Sequence, residues 1–345
     1  MIIAVVADSA AQPADWSRDP RTLADGLREL GHQVVAPGPE LTWPVDAQRP
    51  LPHFPARPDV VLSLGPAAPP VAAVLAETLG VPLALMLPPG LTDPDTPPGY
   101  ARLLAQHLPA ALLIAESERH ADVAIRAGAD PHRTVVVAPG LRLDPFTAPP
   151  APGGEPLRLL CDLSRTPPGP QAFLAAVLGR LDRPTRLTVL TGPGEPPPEV
   201  KQLWADRPDT TVADLAEAAL PGHYAQCDAV LAPSPDTDET LAVLRAMAAG
   251  RALLAVDDPA IQDLVSTTRN GMLARAGDAD EWVDKLDYLL SGAALRLHLG
   301  RGARARAEAQ FALPRTLGRL ESRLAALTRS WNYLDHSATD EGEMW

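Results

Sequence analysis

Short apolar runs alternate with stretches of helical spacing along nearly the whole chain, and this alternation allows few folds. A strand buried on both faces reads as a continuous Val/Ile/Leu run, and parallel strands joined by helices are the ones buried in that way. In the first half the pattern predicts strands at 2–7, 33–36, 59–64, 82–87, 111–115 and 134–138, with helices at 20–30, 70–79, 99–108 and 117–127. Asp19 is placed to cap the first helix, Pro20 opens it, and Gly31 ends it. Residues 141–156 hold five prolines and two glycines and read as a semi-rigid linker. Beyond it the alternation restarts. Strands are expected at 157–161, 186–191, 210–212, 228–232, 252–256 and 271–274. Helices are expected at 169–180, 197–205, 216–226, 238–249, 259–265, 279–290, 293–310 and 314–330.

The expected organisation is an α/β chain with an N-terminal domain over 1–145 and a second over 146–312. A helix at 313–330 packs back toward the first domain, and an acidic, aromatic tail without helical periodicity fills 331–345. A chain of 345 residues suits two domains, each with its own core. Two such domains would turn the carboxyl ends of both sheets to an interdomain cleft, where open parallel sheets bind ligands.

Composition narrows the partners. A net charge of −13 disfavours nonspecific nucleic-acid binding, which needs a cationic surface. No apolar run approaches the ~20 residues of a membrane span, and the start, MIIAVVADSA, lacks the basic region of a secretory signal, so a cytoplasmic protein is expected. Cys161 and Cys227 read as buried thiols, and His107, His120, His132 and His223 lack metal-binding spacing. His32 reads as structural, and the Arg-rich run 296–306 as a solvated helix face. Lysine occurs only at Lys201 and Lys285, while proline reaches 40 residues.

Residues 227–250, CDAVLAPSPDTDETLAVLRAMAAG, carry the chemistry. A buried strand runs into a Pro/Ser loop and then a helix ending at Gly250. The unpaired amides and positive dipole end of such a helix suit a phosphate or a sugar hydroxyl.

Within this stretch Pro233, Ser234, Ala246, Met247, Ala248 and Gly250 resemble the donor-site signature of family 4 glycosyltransferases. In that signature a strand ending Pro-Ser leads to Glu, seven residues, a second Glu, Ala-Met-Ala and Gly. LADGLRELGHQVVA at 23–36 resembles the family's first helix and the Gly-His that follows it. Residues 111–146 resemble the segment where Ser-Glu, a helix and Pro-Gly cross between the domains. LTVLTGPGE at 187–195 resembles its Gly-x-Gly turn, and 303–311 its closing helices. The resemblance implies a GT-B fold of two Rossmann-like domains whose parallel sheets face an interdomain cleft. It implies sugar transfer, with retention, from a nucleotide-sugar to a glycan or small-molecule acceptor, without metal or cofactor.

Carried onto this chain, the donor side would comprise Arg165, Gly192, Ser234, Asp236, Thr237, Glu239 and Arg245, and the acceptor side Ser9, Ser117 and Glu118. Several positions depart from the family. Thr237 and Arg245 stand where its two Glu residues would contact the donor sugar and the ribose diol. Ser164 and Arg165 fill its Gly-Arg turn, and 166–170 supply no Lys. Losing one charged hydrogen bond costs roughly 1.5–3 kcal/mol. In the first domain Ser9, Ala10, Ala11 and Gln12 replace a Gly-rich turn, with side chains where a backbone would approach a diphosphate, and Leu87, Pro88 and Pro89 replace a His. Arg245 either reaches toward a diphosphate or pairs with Asp238 on its own helix. Ser117 either lines the acceptor pocket or caps the helix it precedes. The alternatives to a transferase are a degenerate GT-B protein acting as a binding or scaffolding subunit, with the tail as its partner surface, and a GT-B sugar epimerase.

Overall fold

The computed structural model describes residues 1–7, 19–35, 54, 56–65, 68–87, 112–146, 153–163, 169–191, 209–214, 219–234 and 239–340. The helices expected at 99–108 and 197–205 lie outside these residues. The chain divides into two compact units, Met1–Gly140 with Leu313–Trp345, and Leu141–Ala312.

The first unit begins with β1 (Ile2–Ala7), α1 (Pro20–Glu29), β2 (Gln33–Val35), β3 (Val60–Leu64) and α2 (Pro69–Leu79). It continues through β4 (Leu83–Met86), β5 (Leu112–Ala115), α3 (Glu118–Arg126) and β6 (Thr134–Val136). The second unit holds β7 (Leu157–Asp162), α4 (Gly169–Leu178), β8 (Thr185–Thr191), β9 (Thr210–Asp214), α5 (Leu220–Gln226), β10 (Ala229–Ala232) and α6 (Glu239–Ala248). It closes with β11 (Ala252–Val256), α7 (Pro259–Gln262), β12 (Met272–Ala274), α8 (Ala279–Ser291), α9 (Ala293–Arg306) and a π-helical turn at Ala307–Phe311. The last helix, α10 (Leu313–Asp340), belongs to the first unit.

Each unit is built on one six-stranded sheet, ordered β2-β1-β3-β4-β5-β6 in the first and β12-β11-β10-β7-β8-β9 in the second. Among the described residues every strand pairing is parallel. The expected apolar runs become these strands because both faces are covered. Ile3, Val5, Val60 and Leu62 pack with Leu23 and Leu27 of α1 and with Leu317, Leu320 and Leu324 of α10. Ala4, Val6, Val61 and Leu85 turn to the other side, against Val71, Ala72 and Leu75 of α2.

Local signals fix the helix ends. Asp19 accepts from the amides of Arg21 (3.0 Å) and Thr22 (3.2 Å), and the chain leaves α1 through Gly31 at φ +87°. At the end of α6, Gly250 (φ +63°) donates to the Met247 carbonyl, and Arg251 N–H reaches back to Ala246 O, both at 3.0 Å. This pair of bonds satisfies carbonyls that the helix itself leaves open. His32 is structural: its Nε2 lies 3.1 Å from Glu321 Oε1 and its Nδ1 3.3 Å from the Met1 amine. Cys161 and Cys227 are buried thiols in no disulfide.

Three expectations need correction. The segment after Ser330 is helical through Asp340, because 331–340 contain neither Pro nor Gly and extending an existing helix carries no nucleation cost. Helix α7 stops at Gln262 instead of 265. Asn270 turns the chain there, its amide donating to Leu264 O (2.9 Å) and its carbonyl accepting from Ser266 N (2.7 Å). The Arg-rich run is not simply a solvated face. Arg296 is buried and donates to Leu289 O (3.1 Å) and Leu290 O at the end of α8. Arg304 donates to Ala248 O at the end of α6, and Arg306 to Asp263 O (2.8 Å). Guanidinium groups are drawn to helix carboxyl ends by the unpaired carbonyls and the dipole. Among the described residues no helix is long and apolar enough to cross a membrane.

Candidate functional site

Strand order locates the candidate site in the second unit. From β7 the chain proceeds outward to β8 and β9, then returns to β10 on the other side of β7 and proceeds to β11 and β12. The β7–β10 boundary is therefore the switch point, and the ends of these two strands diverge above a place where open α/β sheets bind ligands. Asp162 is the last residue of β7, and Pro233 and Ser234 follow β10 directly. Beyond them α6 begins at Glu239, so its N-terminal end lies on the carboxyl side of the sheet.

A buried polar cluster ties these elements together. Arg245 Nη1 lies 2.9 Å from Asp162 Oδ2, with the two side chains 4% and 3% exposed. Tyr224 of α5 donates its hydroxyl to the same carboxylate oxygen at 3.1 Å, with Ala242 O of α6 at 3.4 Å. Burial, and then the Asp162 charge, push the Tyr224 phenol well above its ordinary value, so the hydroxyl stays a donor. The Tyr224 ring packs edge-on against Phe146, with centroids 5.9 Å apart. Arg304 binds the carbonyls of both Phe146 (2.7 Å) and Ala248, closing the circuit from α9 to α6. Neighbouring Cys227 is an inert thiol, pushed up to about 12 by burial, with its Sγ donating to Tyr224 O.

Arg245 is thus paired across the fold with Asp162, and the expected partner Asp238 lies outside the described residues. The geometry has a simple cause. Helix side chains lean toward the N-terminus, so an arginine in the last turns of α6 reaches back to the strand ends. Ser234 is buried at the end of β10, and Glu239 is the first residue of α6. These two residues and Arg245 therefore share one strand–loop–helix unit. Arg165, Gly192, Asp236 and Thr237 lie outside the described residues, as does Ser9 in the first unit. Ser117 caps α3, its Oγ accepting from His120 N at 3.1 Å, and Glu118 is exposed in the first turn of that helix. Sequence reasoning missed Asp162 and Tyr224. The available signal was a carboxylate ending the apolar strand LRLLCD, since a buried charge there demands a partner.

Residues 162–292 match the family described as glycosyl transferases group 1. The matched residues lie within the second unit. A D-inositol 3-phosphate glycosyltransferase of Xylanimonas cellulosilytica is 29% identical over 242 residues, 62% of this chain and 58% of that protein. One of Pseudarthrobacter chlorophenolicus is 30% identical over 221 residues, 58% of this chain and 52% of that protein. The chain therefore spans little more than half the length of these curated relatives. Among solved structures, HepE of Anabaena in complex with UDP and glucose superposes with a TM-score of 0.73 at 16% identity, covering 94% of this chain and all of that one. A glycosyltransferase from Rickettsia africae gives 0.75 at 16% identity, covering 94% and 98%. This likeness and the two parallel sheets give the chain an α/β GT-B fold.

Proposed function

We propose that this chain is a retaining glycosyltransferase that moves a sugar from a nucleotide-sugar to a glycan or small-molecule acceptor. The observation that carries the reading is the strand–Pro-Ser–helix arrangement at the switch point of the second sheet, inside the segment that matches the glycosyltransferase family. The relatives named D-inositol 3-phosphate glycosyltransferase, and HepE with UDP and glucose, support the same class of donor. In this reading the amides of α6 and Arg165 meet the charge of the leaving diphosphate without a metal, and Gly192, Ser234, Asp236, Thr237 and Glu239 surround the donor. Arg245 contributes from beneath them, Ser9 and Glu118 serve the acceptor, and Ser117 holds Glu118 in place as the cap of α3. Catalysis of this kind rests on positioning and on stabilising the departing charge.

One observation favours a second reading, a degenerate binding or scaffolding subunit. Arg245, standing at a family carboxylate position, is committed to Asp162 and offers a ribose diol no acceptor. Incubation with UDP-, GDP- and ADP-sugars separates the two. A transferase releases nucleoside diphosphate, slowly to water and faster with acceptor. A chain that binds a nucleotide and releases none is the subunit.

A further inference from the structure

We infer that Asp162 and Tyr224 are positioning residues for the nucleotide site, and that Arg245 is the strut through which they act. This rests on the donor-site reading above. Strand β7 and helix α6 both border the switch point, and the Asp162–Arg245 pair, buried on both sides, joins them. The pair joins the last residue of the central strand to the helix whose first turn stands beyond β10. Tyr224 holds the same carboxylate oxygen and lies against Ala242 O, one turn before Arg245 on α6. Two separate contacts therefore set α6 against β7. Neither guanidinium nor carboxylate presents its charge to solvent, so their effect on a ligand is exerted through the helix. Displacing a helix that presents ligand-binding amides lengthens and misaligns their hydrogen bonds, which weaken steeply with angle and distance, so the pair has leverage on affinity without touching the nucleotide.

The test is calorimetric titration with whichever of UDP, GDP or ADP binds the wild-type protein, at a temperature where every variant is folded by circular dichroism. Asp162→Asn and Arg245→Met should each weaken binding about tenfold or more, and Tyr224→Phe, which keeps the ring on Phe146, by a few-fold. The deciding change is the double variant Asp162→Leu with Arg245→Met, made in the Tyr224→Phe protein so that no buried hydroxyl loses its Asp162 acceptor, which replaces the ion pair by an apolar contact of similar size. Such replacements are often neutral or stabilising relative to the charged pair. If the pair only positions α6, the double variant recovers affinity to within about threefold of the Tyr224→Phe protein. Single variants that are less stable yet bind normally would overturn the inference, since the pair would then serve stability alone. A double variant that regains stability but not affinity would also overturn it, because one of the charges would then contact the ligand. Failure of the wild-type protein to bind any of the three nucleotides is a different result, and would remove the donor-site reading itself.

Discussion

A buried guanidinium requires a counter-charge, and Arg245 finds one in Asp162, 83 positions away in sequence. The sequence singled out Arg245 but placed its partner on the same helix, because helical spacing reveals neighbours at three, four or seven residues and says nothing about contacts made through a sheet. Truncating one member leaves the other charged and buried, at a cost of about 3–5 kcal/mol. Arg245→Ala should therefore lower the unfolding free energy of the second unit by that amount in urea titration. Glu281 behaves differently. Hydrogen bonds from Lys285 and Arg275 lower its carboxyl to about 2, below the ordinary 4.5. Because the folded-state value is depressed, this contribution is complete above the unfolded value near 4.5 and is lost as pH falls from there toward 2. Glu281→Gln should flatten that acid limb in a pH series of thermal melts, its destabilisation being largest and pH-independent in the neutral region and fading toward pH 2.

Strands and helix starts were the most legible elements. Burial on both faces writes a parallel strand as an unbroken apolar run, and caps such as Asp19 are strictly local. Helix ends were harder: α10 runs past Ser330 because nothing breaks it, and α7 is cut short by an asparagine beyond the element itself. The arginine caps were invisible for the same reason, since Arg296 and Arg304 serve the ends of other helices. Close approach of elements yields a contrast between two glycines. A Cβ at Gly300 of α9 would lie 2.2 Å from the Gly250 carbonyl oxygen, a backbone atom fixed by the α6 terminus. At Gly26 of α1 it would lie 2.1 Å from Leu317 Cδ1, the far end of a side chain that can rotate. Alanine gains about 1 kcal/mol in helix propensity at either site, whereas overpacking costs roughly 1–3 kcal/mol. Gly300→Ala should thus destabilise clearly in thermal denaturation, and Gly26→Ala much less.

At the scale of the whole molecule, two six-stranded parallel sheets give each unit its own core and its own switch point. The two-sheet organisation was legible because the alternation restarts after a proline-rich break. The strand order that locates the site was not, because sequence gives strands in succession and not side by side. Family-like residues placed the donor side on the segment around β10 and α6, while Asp162 became visible only once β7 and β10 were adjacent. A ligand held by the folded second unit stabilises it by mass action, by about 2.7 kcal/mol at a hundred times its dissociation constant. Rising concentrations of the correct nucleoside diphosphate should therefore raise the melting temperature. The most direct test of the central claim is calorimetric titration of the wild-type protein and of Arg165→Ala with UDP, GDP and ADP. The account predicts micromolar binding of one nucleotide to the wild-type protein and its loss in the variant. Absence of binding up to millimolar concentrations, or equal affinity in both proteins, would contradict the donor site as placed here.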